Sequence, residues 1–135
     1  MYAILGRFSP QIYAIVRIVV GFCFMCHGTQ KFFDWPPSDK AGGALAGLAL
    51  VAAVIELVGG FMIMVGLLSS IAAFISSGTM AVAYFMAHQP KGALPIMNGG
   101  EPAVLYCFIF LYIAAAGSGI WSVDSILRRT PRTDT

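Results

Sequence analysis

The chain has 135 residues, of which 59% are hydrophobic and only 10% charged, with a net charge of +2. A soluble domain carries about 25% charged residues and cannot hide so large an apolar excess in a core of this size. Its mean hydropathy of +0.83 points to lipid as the solvent, and no basic patch is large enough for nucleic acid.

Four apolar segments are long enough to cross a bilayer, which takes about 20 residues as a helix. The first is expected from about Gln11 to Phe33, with Ser9 as its cap and Pro10 in its first turn. Asp34 and the breaker Trp35-Pro36-Pro37 end it. The second is expected from about Ala44 to Leu68, interrupted only by Glu56, and the third from about Ser70 to His88, before Pro90. The fourth is expected from Glu101-Pro102 to about Trp121. These runs are continuous rather than alternating, so they are helices and not strands of a membrane barrel.

The expected fold is therefore all-α, an integral membrane four-helix bundle. The few residues between the second and third spans make those two antiparallel neighbours. Four spans put both termini on one face, and both long loops (Asp34 to Gly43 and Gln89 to Gly100) on the other. Arg7, Arg128, Arg129 and Arg132 lie on the terminal face, against Lys31, Lys40 and Lys91 near the loop face. Positive charge stays inside, so both termini are expected to be cytoplasmic. Residues 1–127 form the membrane domain and 128–135 a polar, mobile tail. The N-terminus reads as a retained span rather than a signal peptide, because Arg17 interrupts the apolar run and no small-residue cleavage site follows.

Ionisable groups within a bilayer are costly, about 2.5–3.5 kcal/mol each on insertion scales, and persist where they face the bundle interior. Arg17, Gly21, Phe24, Gly28 and Lys31 follow 4-3-4-3 spacing and share one stripe of the first span, with His27 at its edge. Ala49, Ala52, Ala53, Glu56 and Gly60 give the second span a small-residue face suited to close helix approach. Ser77, Ala81, Tyr84 and His88 line the third, and Glu101, Leu105, Phe108 and Tyr112 the fourth. Two groups follow. His27, Lys31, His88 and Glu101 form an expected polar binding site at the outer end, with Gln30 and Asn98 able to join it. Arg17 and Glu56 form an expected buried ion pair, while Asp124 meets Arg7 or Arg17 at the inner face. The bland alternatives are register fixing by the ion pair and loop anchoring by the outer group. No metal site is expected.

Taken in order, these residues resemble the DoxX family of small bacterial membrane proteins. The resemblance rests on Arg17-Ile-Val-Val-Gly21, His27-Gly28-Thr-Gln-Lys31, Glu56-Leu-Val-Gly59-Gly60, Met86-Ala-His88, Asn98-Gly99-Gly100-Glu101 and Gly117-Ser-Gly119-Ile-Trp-Ser122-Val-Asp124. It implies a four-helix protein of the bacterial inner membrane. Some relatives are subunits of a thiosulfate:quinone oxidoreductase, and others are linked with thiol-handling redox-stress complexes. A quinone is thus a candidate substrate, and a redox protein or a second copy a candidate partner, with no bound cofactor of the chain's own.

Cys23-Phe-Met-Cys26-His27 matches the c-type haem pattern C-x-x-C-H. Haem is disfavoured, because the pattern lies inside an apolar helix where His27 belongs to His-Gly-x-x-Lys. Cys23, Cys26 and Cys107 read as buried hydrophobes rather than a disulfide framework. Three functions remain open, in falling order: a redox subunit binding a quinone head group or sulfur oxyanion at the outer site, a scaffold whose basic tail touches lipid or a partner, and a permeation protein.

Overall fold

The structure is a computed structural model that describes residues 2–39 and 45–129. Among these the regular elements are helical. A 3-10 turn (Gly6–Phe8) leads into α1 (Ser9–Phe33). α2 (Gly47–Val65) and α3 (Ser69–Lys91) follow. A short α4 (Pro95–Asn98) precedes α5 (Glu101–Ala116), and α6 (Val123–Arg128) closes the described chain. The helical stretch Gly6–Phe33, α2 and α3 are long and apolar enough to span a membrane, and α5 is a shorter apolar helix of 16 residues. At 1.5 Å per residue α5 rises about 24 Å, which makes it the short member of the helical bundle.

Several boundaries differ from expectation. Ser9 does not cap α1: Phe8 holds the cap position without a side-chain bond, and Ser9 is already helical. The fourth span stops at Ala116 instead of Trp121, because Gly117 leaves the helix at φ +85° and Gly119 turns again at +68°. The second span stops at Val65, since Gly66 at φ +77° takes the left-handed position. There the Gly66 N–H bonds Ile63 O at 3.2 Å and the Leu67 N–H bonds Met62 O at 2.9 Å, the glycine-terminated hydrogen-bond pattern of many helix ends. The expected start at Ala44, and most of the expected tail (130–135), lie outside the described residues. Asp34 ends α1 as expected, in the left-handed region at φ 50°.

Packing follows the sequence stripes closely on α1, whose buried residues are Ala14, Arg17, Gly21, Phe24 and Gly28. A Cβ on Gly28 would stand 2.5 Å from Leu57 N, and one on Gly21 2.5 Å from Met64 N. Gly60 is equally tight against Met25 N. Only missing side chains let α1 and α2 approach so closely, and the same contacts fix their antiparallel register. α3 packs mainly on α5, where the Ser77 hydroxyl donates to Cys107 O at 2.7 Å. A core of Phe24, Ile63, Ala73, Met80, Phe110 and Ile113 lies between the helices.

The expected inward stripe of α5 is corrected. Glu101, Leu105, Phe108 and Tyr112 are all exposed, and Ala103, Phe110 and Ile113 are buried. α5 is apolar all round, so no polar face marks which side turns inward.

Candidate functional site

Polar residues gather at both ends of the bundle, in different states. At the end near the termini, Arg17 is fully buried. Its Nη1 donates to Ile63 O (3.0 Å) and Met64 O (3.1 Å), and its Nη2 to Ile120 O (3.3 Å) and Trp121 O (2.7 Å). The guanidinium thus sits at the C-terminal end of α2, where free carbonyls and the negative end of the helix dipole favour a cation. Tyr13 donates to Gly117 O at 2.5 Å. Asp124 accepts from Ser118 (2.5 Å) and from the Leu68 N–H (2.9 Å), and its own N–H bonds Gly66 O. The Ser118 hydroxyl above all holds the Asp124 carboxyl below its ordinary value. The Leu68 and Ser69 N–H groups and Arg128 act the same way, against a smaller opposing push from burial.

The expected Arg17–Glu56 ion pair does not form. The α1–α2 register sets Gly21 beside Met64 and Gly28 beside Leu57. Arg17 therefore reaches the carbonyls at the end of α2, while Glu56 lies seven residues, about 10 Å, before Ile63. Glu56 pairs instead with Lys31, whose Nζ is 2.9 Å from Oε1 and 2.7 Å from Oε2. Glu56 is 5% exposed, and the Lys31 side chain 40%.

Glu56 sits in a π-helical stretch (Ile55–Gly59) inside α2, and His88 ends a second one (Tyr84–His88) in α3. Such stretches occur often at functional sites, because they displace side chains and loosen backbone pairing. Nothing in the sequence pattern announced them.

The remaining residues at the loop end do not gather into one site. His88 stacks on Tyr84 at 6.4 Å, and its Nδ1 lies 3.3 Å from Asn98 O. Asn98 is buried and pins the loop: its amide donates to the Tyr84 hydroxyl and to Gly92 O, both at 3.1 Å, and its Oδ1 accepts from the Gly100 N–H at 2.8 Å. Gln30 likewise anchors a loop, donating to Pro36 O at 2.9 Å. His27 is exposed and meets Tyr106 edge to face, ring centroids 5.9 Å apart. Glu101 is exposed at the start of α5, on a groove it shares with Tyr106 and Cys23. Among the described residues, no hydrogen bond or ion pair joins Lys31 or Glu56 to His88 or Glu101. The three cysteines are free thiols, with Cys23 exposed and Cys26 and Cys107 half-buried.

Tyr106 was missed by the sequence argument, although a signal existed. Ala103, Tyr106, Phe110 and Ile113 follow 3-4-3 spacing, and this stripe turns inward.

Helices of this length and apolarity, with scarce charges paired or bonded inside, define a small helical integral membrane protein. A more particular assignment comes from comparison. A family model, DoxX, matches residues 12–89, and the chain belongs to that family. It is 44% identical over 126 residues to an uncharacterised protein of Haemophilus influenzae, a match covering 90% of this chain and 94% of that one. It is 26% identical over 113 residues to a Bacillus subtilis protein named "Putative oxidoreductase CatD", covering 82% of each. No solved structure matches it significantly.

Proposed function

We propose that this protein is a subunit of a redox complex in the bacterial inner membrane, with both termini in the cytoplasm. It binds a quinone or a sulfur oxyanion at its outer end, and a partner protein supplies the electrons. The observation that carries this reading is the Lys31–Glu56 pair, with its carboxylate buried in a π-helical turn and Lys31 one helical turn along α1 from His27. A charge pair with only its carboxylate buried is a weak source of stability. Lysine offers positive charge to an anion or a carbonyl. Imidazole is the side chain whose ordinary titration range lies nearest neutral pH, which suits proton exchange with a quinone. The name of the Bacillus subtilis relative supports a redox role, and Arg7, Arg128 and Arg129 at the end with the termini support the orientation.

The test is quinone binding to the purified chain. Lys31→Ala or His88→Ala should abolish binding while the protein stays folded; unchanged binding in both variants counts against the reading. The scaffold reading draws on His88, whose bond to the Asn98 carbonyl can be purely loop anchoring. It expects His88→Ala to lower stability and leave binding untouched.

A further inference from the structure

α1 and α5 pack loosely. Their backbones stay apart, and they meet through rings, Phe24 on Phe110 at 4.6 Å and on Tyr106 at 5.5 Å. The gap leaves a groove of about 480 Å³ on the flank of the bundle, within the usual range of about 300–1,000 Å³ for small-molecule sites. Its walls are Val20 and Cys23 from α1 and Leu105 and Ile109 from α5, with Glu101 at one end and the Tyr106 ring in one wall.

Tyr106 differs from the other two half-buried tyrosines. The Tyr13 hydroxyl is bonded to Gly117 O, and the Tyr84 hydroxyl to the Asn98 amide. Among the described residues the Tyr106 hydroxyl has no hydrogen-bond partner, and neither has the imidazole of its neighbour His27. In hydrocarbon an unmatched hydroxyl is expensive, because no water is there to satisfy it. The Tyr106 ring is held by stacking on Phe110, centroids 5.6 Å apart and planes 21° apart, so the hydroxyl is positioned rather than free to search.

We infer that the α1–α5 groove seats a bilayer-borne ring compound bearing a carbonyl or hydroxyl oxygen, with the ring between the apolar walls and the oxygen at the Tyr106 hydroxyl beside His27. Quinones belong to this class, and in that respect the inference rests on the function proposed above. The groove opens on the flank that lipid surrounds, so the compound arrives sideways from the bilayer. A phospholipid acyl chain fits the apolar walls equally well, but leaves the Tyr106 hydroxyl unmatched. That difference selects the oxygen-bearing ring.

The experiment is equilibrium binding of a short-tailed benzoquinone to the full chain in detergent micelles, together with cross-linking by its photoreactive azido derivative. Tyr106→Phe removes one hydroxyl and should weaken binding about tenfold, the equivalent of one buried hydrogen bond. Val20→Trp fills the groove and should abolish binding. In the wild-type chain the cross-link should fall on peptides containing Cys23 or Tyr106, a readout that needs no variant to fold. A ringless alcohol such as dodecanol should fail to compete. Binding that survives both substitutions, with cross-links elsewhere, overturns the seat and leaves the redox reading standing. Effective competition by dodecanol makes the groove a lipid-tail site and overturns the inference. Absence of any quinone binding to the wild-type chain sinks the redox reading and this seat together.

Discussion

The two ends of the bundle use polar residues in opposite ways. At the end near the termini the charged groups are held by several bonds each, Arg17 on four carbonyls and Asp124 on Ser118 and Leu68, with Tyr13 on Gly117, although Arg17 Nε, Gln11 Oε1 and Ser69 Oγ are buried there without a partner. At the loop end a carboxylate is buried in a π-helical turn with one lysine, and Tyr106 and His27 lack hydrogen-bond partners among the described residues. The lesson is that an ionisable residue within a membrane helix is not by itself a site. What bears on its role is how many bonds its charged group already makes inside the fold: four for the Arg17 guanidinium, one ion pair for Glu56.

The sharpest way to break this comparison is at Arg17. If the inner knot is structural, Arg17→Leu leaves carbonyls of α2 and of the segment after α5 unmatched in a buried place. Each buried acceptor left so costs about 1–3 kcal/mol, so the loss amounts to several kcal/mol in all. The expected outcome is a chain that fails to accumulate folded, seen as a collapse of the monodisperse peak and of the thermal transition in detergent. Arg17→Lys keeps the charge but not the fork of donors, so it should fall between. A stable Arg17→Leu protein that lost only quinone binding would move Arg17 into the functional group.

Much of this arrangement could be read from residue order. The α1 stripe was legible because Gly21 and Gly28 are small and Arg17 is charged, so polarity and size both report the buried face, though the stripe's last member, Lys31, is exposed. α5 offered neither: its residues are apolar on all sides, and the wrong 4-3-4 row was as plausible as the right 3-4-3 row through Tyr106. The Arg17–Glu56 pairing failed for a different reason. Helical spacing gives direction around an axis, but depth along a neighbour depends on register, which the Gly21–Met64 and Gly28–Leu57 contacts set. The π-helical stretches at Glu56 and His88 were invisible because they need no distinctive residue type.

A middle-sized effect is expected at the α1–α2 seam, which connects the two ends. Gly28→Ala places a methyl 2.5 Å from the Leu57 backbone nitrogen, one residue from Glu56. Backbone cannot step aside as a flexible side chain can, so the helices must part, at about 1–3 kcal/mol. The outer pair should loosen, so quinone binding should weaken along with stability, while the inner knot stays intact. Gly78→Ala is the control: a Cβ there meets nothing within 4 Å, and alanine is the better helix former by about 1 kcal/mol. Measured side by side, Gly28→Ala should lower the melting temperature and Gly78→Ala should hold or raise it.

The smallest effect belongs to acid and Asp124. Its carboxyl is held below the ordinary value of 3.8, chiefly by Ser118 and then by the backbone N–H groups at the start of α3. A group with a depressed folded value adds stability in its charged form. That contribution is fully present above the unfolded value, and is lost as pH falls through the lower, folded one. Thermal unfolding followed from pH 6 down to about 3 should therefore show an acid-side decline starting near pH 4. Asp124→Asn should lower stability slightly at pH 6 and flatten that decline, because the amide can still accept from the Leu68 N–H but no longer titrates. Quinone binding at pH 6 should be unchanged in Asp124→Asn, since the residue belongs to the matched end. A loss of binding there would mean that the two ends are coupled through α2 and the turn at Gly66, and the division between them would have to be redrawn.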